Sequence, residues 1–93
     1  MAILDDKEIE RRLDALSGWS REKNAIVKRY EFPSFAEAIA FVSRIAARAE
    51  SLNHHPDFAV HYRVVTLSLS THSAGGITEK DMAAAAEFDE AVE

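Results

Sequence analysis

The sequence predicts an α+β fold in the order α-β-β-α-β-β-α, with a four-stranded antiparallel sheet and helices packed on it. Three observations lead there. Three segments open with helix-capping signals. The stretches between them alternate apolar and polar residues with the period of a strand. Those strand-like runs come in pairs whose connections are short enough for hairpins, which favours antiparallel pairing.

The first helix is read in LDDKEIERRLDALSG, residues 4–18. Asp5 with Glu8 three residues later forms a capping box, and Leu4 with Ile9 a hydrophobic staple. Ile9, Leu13 and Leu16 make a narrow apolar stripe, and Gly18 is placed to stop the helix. The first hairpin joins WSRE to AIVKRYEF through a Lys23-Asn24 turn, with Ile26, Lys28, Tyr30 and Phe32 on one face and Val27, Arg29 and Glu31 on the other. The long helix is PSFAEAIAFVSRIAARAESL, residues 33–52, opened by Ser34 and Glu37. Phe35, Ile39, Val42, Ile45, Ala49 and Leu52 recur at helical spacing and are expected to face the sheet. Ala36, Ala40 and Ala47 lie beside that stripe, with Phe41 wide of it. The apolar surface therefore exceeds what covering a sheet requires. The second hairpin pairs FAVHY with VVTLSLST around Arg63, with Val65, Leu67 and Leu69 inward. The last helix follows Thr78, with Asp81 at its third position, Ile77 and Met82 as a staple, and Met82, Ala85, Phe88 and Val92 as its apolar face.

Bulk properties narrow the function. The 93 residues suit one domain spanning 1–93, with room for one modest core. Hydrophobic residues at 47% and charged residues at 29% are ordinary for a globular chain. The net charge of −5, with Lys and Arg dispersed, argues against direct nucleic-acid binding. The absence of Cys excludes a disulfide framework and a thiolate metal site. The N-terminus, MAILDDKEIE, is neither a signal nor a basic transit peptide, and no apolar run approaches a membrane span. A cytoplasmic location is the expectation.

The chemistry concentrates in AESLNHHPDFAVHY, which holds three of the four histidines. His54 and His55 directly follow the long helix, whose C-terminal partial negative charge favours imidazolium. Glu50, four residues before His54, adds to that. Imidazole changes charge near the working pH, which suits proton transfer. Pro56 disfavours helical geometry at His55, so the adjacent rings are expected to point different ways. His72 ends the last strand in STHSAGG, where two glycines predict an irregular loop of the kind that often carries a site. Metal binding is the weaker alternative, since adjacent histidines rarely share one ion and no H-E-x-x-H pattern is present. His61, in an alternating strand, reads as a surface residue. Trp19 and Phe58 are more simply core than ligand wall.

Gly18-Trp19, the F-x-S-F-x-E-A-x-A-F run from Phe32 to Phe41, Glu50 before His54-His55-Pro56-Asp57-Phe58, Tyr62, and LSTHSAGGITEKD from Leu69 to Asp81 resemble the pterin-4a-carbinolamine dehydratase family, from about Leu13 to the C-terminus. Phe58 stands where relatives often have Trp. The resemblance implies dehydration of 4a-hydroxytetrahydropterin to quinonoid dihydropterin, recycling the pterin after aromatic amino-acid hydroxylation, with no metal or cofactor. It implies His54 and His72 as general acid–base groups, His55 holding the departing hydroxyl, and Glu50 lining the site. Backbone at His54, His55, Pro56, Thr71, His72, Ser73 and Ala74 would contact the pterin. Asp81 would support His72 or the helix start, and Trp19 would wall the pocket. It implies a homo-dimer or tetramer with a small-molecule pterin as partner. The alternatives are a pterin-binding or protein-interaction module without turnover, and a role in molybdopterin metabolism.

Overall fold

Each helix begins where a side chain accepts from an otherwise unpaired backbone amide. The structure, a computed structural model, describes residues 2–92; Met1 and Glu93, the ends of the expected 1–93 domain, lie outside the described residues. Helix α1 spans Asp6–Asp14, with the Asp5 carboxylate accepting from Glu8 N–H. Strands β1 (Ser20–Glu22) and β2 (Ala25–Glu31) form the first hairpin, α2 is Phe35–Leu52, β3 (Asp57–His61) and β4 (Val64–Leu69) form the second, and α3 is Glu79–Glu90. Ser34 caps α2 and Thr78 caps α3, the latter in a full capping box with Asp81.

The sheet is antiparallel throughout, in the order β1-β2-β4-β3. The β2–β4 ladder sets Ile26 opposite Leu69, Lys28 opposite Leu67 and Tyr30 opposite Val65. Opposed residues share a face, so this register gathers the apolar residues of both strands on one side. Ile26, Val65, Leu67 and Leu69 are fully buried there beneath α2 and α3. Lys28 lies on the same face and reaches past the core, donating to Asp89 at 2.9 Å and to the Ser17 carbonyl. One apolar cluster joins α1 through Ile9, the sheet, and both longer helices.

The expected element order and sheet stand, with four local corrections. First, α1 stops at Asp14, four residues short of Gly18, which instead makes the turn into β1 at φ +88°. Second, the buried face of α2 is Ala38, Phe41, Ile45 and Ala49, whereas Phe35, Ile39 and Leu52 are exposed. Ile45 and Ala49 of the expected stripe are buried as expected, and Phe41, expected wide of it, replaces Phe35, Ile39 and Leu52. Phe41 wins the core because the Tyr30 and Phe32 rings stack against it, with centroids 4.7 and 4.9 Å away. Third, Ala91 rather than Val92 completes the buried face at the end of the chain. Fourth, Tyr62 leaves the strand and takes a left-handed turn at φ 55°.

Candidate active site

The end of α2 positions the histidines. Asn53 adopts the left-handed conformation at φ 54° and its N–H returns to the last turn; His54 N–H bonds back to the Ala49 carbonyl at 3.1 Å. This reversal throws the two rings apart. His55 Nε2 turns back to the Glu50 carboxylate at 2.5 Å, on the exposed rim. His54 turns inward, and its Nε2 lies 2.6 Å from Oδ1 of Asp81, a carboxylate fully buried at the start of α3. Glu50 thus serves His55 rather than His54. Asp81 serves His54 rather than His72, and its expected role at the helix start also holds.

Asp81 Oδ2 accepts from the Thr78 backbone N–H and from the Thr71 hydroxyl, each at 2.9 Å. The Thr71 and Thr78 hydroxyls are 2.7 Å apart. A buried carboxylate is costly unless its oxygens find donors. Here the capping box and Thr71, just beyond β4, supply them.

The 71–76 loop is closed by a bridge between Thr71 and Gly76, and Thr71 O accepts from Gly75 N–H at 2.9 Å. Gly75 has φ +80°, and a side chain at Gly76 would press on Ile3 at 3.3 Å. His72 and Ser73 stand exposed at the loop's end. Among the described residues no side-chain hydrogen bond holds the His72 ring.

These parts meet in one open cleft of about 250 Å³, lined by His54, His55, Thr71, His72 and Ser73 together with Asn53, Ser70 and Lys80. The last three were missed in the sequence. Asn53 is legible as the left-handed cap that precedes the histidine pair. Ser70 and Lys80 carry no local signal and reach the cleft through the strand end and the helix start. Pro56 and Ala74 flank the cleft residues without lining it. His61 sits at the exposed end of β3, outside the lining.

Trp19 requires a correction. It is buried in the core, edge-on to Tyr30, with its indole N–H shared between both Asp89 oxygens at 3.2 Å. Asp89 lies two turns along α3 from Asp81 and also accepts from Tyr30 and Lys28. The Trp19–Asp89 contact seats the C-terminal half of α3 on the sheet, away from the histidine cleft. Among the described residues no group of three His, Asp or Glu side chains is placed to hold a metal ion.

The pterin 4 alpha carbinolamine dehydratase family model matches residues 2–91. The chain belongs to that family. A Roseiflexus castenholzii protein provisionally named as such a dehydratase is 54% identical over 91 residues, covering 98% of each chain. A Sulfolobus acidocaldarius protein with the same provisional name is 50% identical over 78 residues, 84% of this chain and 86% of its own. A solved transcriptional coactivator/pterin dehydratase from Brucella melitensis superposes with a TM-score of 0.93 at 33% identity, covering 98% of this chain and 99% of that one. A pterin dehydratase-like protein described as a RuBisCO assembly factor in the alpha-carboxysome superposes at 0.66, with 27% identity over 80% of this chain and 86% of that one. No helix of the described residues is long and apolar enough to cross a membrane.

Proposed function

We propose that this dehydratase-family chain, acting as one domain, removes water from 4a-hydroxytetrahydropterin to give quinonoid dihydropterin, through His54 and His72. The observation that carries the reading is one cleft holding two differently supported imidazoles, one tied to a buried carboxylate and one free on a loop. In the reaction the C4a–O bond breaks and the oxygen leaves as water after taking a proton. The adjacent ring nitrogen gives up its proton, and its electron pair forms the new C=N bond. One donor and one acceptor of protons are therefore needed, and two imidazoles in unlike environments suit that division. His55, held by Glu50 on the rim, holds the departing hydroxyl. The reaction needs no metal or cofactor.

The setting proposed is pterin recycling after aromatic amino-acid hydroxylation, in the cytoplasm. The working form is a homo-dimer or tetramer, with no direct nucleic-acid contact. The likeness to a RuBisCO assembly factor favours one second reading, a protein-interaction module without turnover. A hydroxylase-coupled assay that follows decay of the 4a-hydroxy intermediate separates the two. Faster decay with the protein, unchanged by chelator, supports the dehydratase. Decay equal to the uncatalysed rate refutes it.

A further inference from the structure

We infer that Thr71 and Asp81 fix the tautomer of His54, so that Nδ1 is the nitrogen His54 offers to the substrate and Thr71 is a positioning residue. This deepens the dehydratase reading and rests on it for its chemistry.

The hydrogen-bond chain has a direction that can be followed from its fixed donors. Lys80 N–H donates to Thr78 Oγ1 at 3.2 Å, and Thr78 N–H donates to Asp81 Oδ2 at 2.9 Å. An ionised carboxylate only accepts, so the Thr71 hydroxyl donates its one hydrogen to Asp81 Oδ2. In the 2.7 Å contact between the two threonine hydroxyls, Thr78 is then the donor. Every hydroxyl proton of the chain points toward Asp81. With two donors on Oδ2, Oδ1 faces His54 Nε2, and Nε2 carries the hydrogen. A neutral imidazole has a single N–H, so Nδ1 holds the lone pair.

The surroundings support the same reading. Asp81 and Thr78 are fully buried and Thr71 nearly so, where a polarised chain is stronger than in water. Among the described residues no buried side-chain nitrogen or oxygen lacks a partner, and His54 Nδ1 makes no hydrogen bond, so Nδ1 is reachable by solvent on a residue that lines the cleft. When Nδ1 takes the proton released by the substrate's ring nitrogen, the Asp81 carboxylate across the ring stabilises the imidazolium. The proton then passes to water and the tautomer is restored. Removing the Thr71 hydroxyl takes one donor from Asp81 and one acceptor from Thr78, which frees the carboxylate and ring to turn.

Nitrogen-15 NMR of the wild-type chain with labelled histidine reads the tautomer without turnover, the His54 signals being assigned with a His54→Gln variant. The expected spectrum shows Nε2 as the protonated nitrogen and Nδ1 as the bare one. The reverse pattern overturns the inference, and because no turnover is involved it does so independently of whether the chain is a dehydratase. Thr71→Val is expected to mix the two patterns and lower kcat about tenfold or more, with KM held within about threefold, while Thr71→Ser restores both. A folded Thr71→Val with wild-type kcat and an unmixed spectrum contradicts the positioning role. If Thr71→Val does not fold, the wild-type spectrum and Thr71→Ser decide.

Discussion

The adjacent histidines take opposite partners, and that difference sets what each can do. His54 is held by a buried acid and His55 by an exposed one, with Asp81 0% and Glu50 76% exposed at the side chain. Replacing His54 or His72 by Ala is expected to lower kcat by about 10²-fold or more, since a positioned acid or base contributes about 10²–10⁴-fold. His55→Ala is expected to raise KM more than it lowers kcat. Steady-state kinetics of the three variants check this, and near-wild-type kcat in both His54→Ala and His72→Ala contradicts the assignment. The histidine pair was legible because a helix end, a proline and two imidazoles lie within a few residues. The partner of His54 was not, because Asp81 stands 27 positions away and its position at the start of α3 is already explained by capping. The residue reading placed Trp19 in the core, and only the resemblance put it at the pocket wall; its place beside Gly18 says nothing of the ring's direction, which Asp89 sets from 70 residues away.

At the scale of the elements, α2 shows where periodicity runs out. Two helical stripes meet at Ile45 and Ala49, and the sequence spacing continues them toward Phe35, Ile39 and Val42 as readily as toward Ala38 and Phe41. Aromatic packing against β2 decides between them. Phe41→Ala is accordingly expected to cost about 3–5 kcal/mol, read from denaturant unfolding. The exposed Ile39→Ala is expected to change the unfolding of the isolated chain by less than about 0.5 kcal/mol. The hairpin pairing was read correctly because β2 and β4 alternate and each pair closes through a short turn, but the first strand of the second hairpin was not: Tyr62 lies in the turn and Phe58, read as core, is 54% exposed. On β2, burial pushes the Tyr30 hydroxyl well above the ordinary tyrosine range, helped by its hydrogen bond to the Asp89 carboxylate and by that group's charge. The folded chain then keeps a proton that the unfolded chain releases near pH 10. Stability from this group is full below that pH and falls as pH rises above it. An alkaline series of urea melts is expected to show the loss in wild type and a shallower one in Tyr30→Phe.

For the whole molecule, the apolar surface left over by the core includes an exposed stripe of α2, with Phe35 at 52% and Ile39 at 41% exposed, beside separate exposed residues such as Phe58 on β3. Patches of this kind usually mark an interface. Arg44 and Arg48 leave that stripe apolar, because they turn to the end of α3, Arg44 to the Ala91 carbonyl and Arg48 to Glu87. Assembly of copies through α2, closed by two-fold symmetry, is therefore expected, and light scattering at micromolar concentration checks it. A mass near one 10.3 kDa chain across a dilution series contradicts it. The proposed activity hinges on two imidazoles, His54 and His72, that line one cleft. The most direct measurement is kcat of the His54→Ala/His72→Ala double variant against wild type in the hydroxylase-coupled assay, with folding verified by circular dichroism. The expected result is accelerated decay of the 4a-hydroxy intermediate by wild type and a loss of about 10²-fold or more in the folded double variant. A folded double variant that turns over at the wild-type rate contradicts histidine-based dehydration in this cleft.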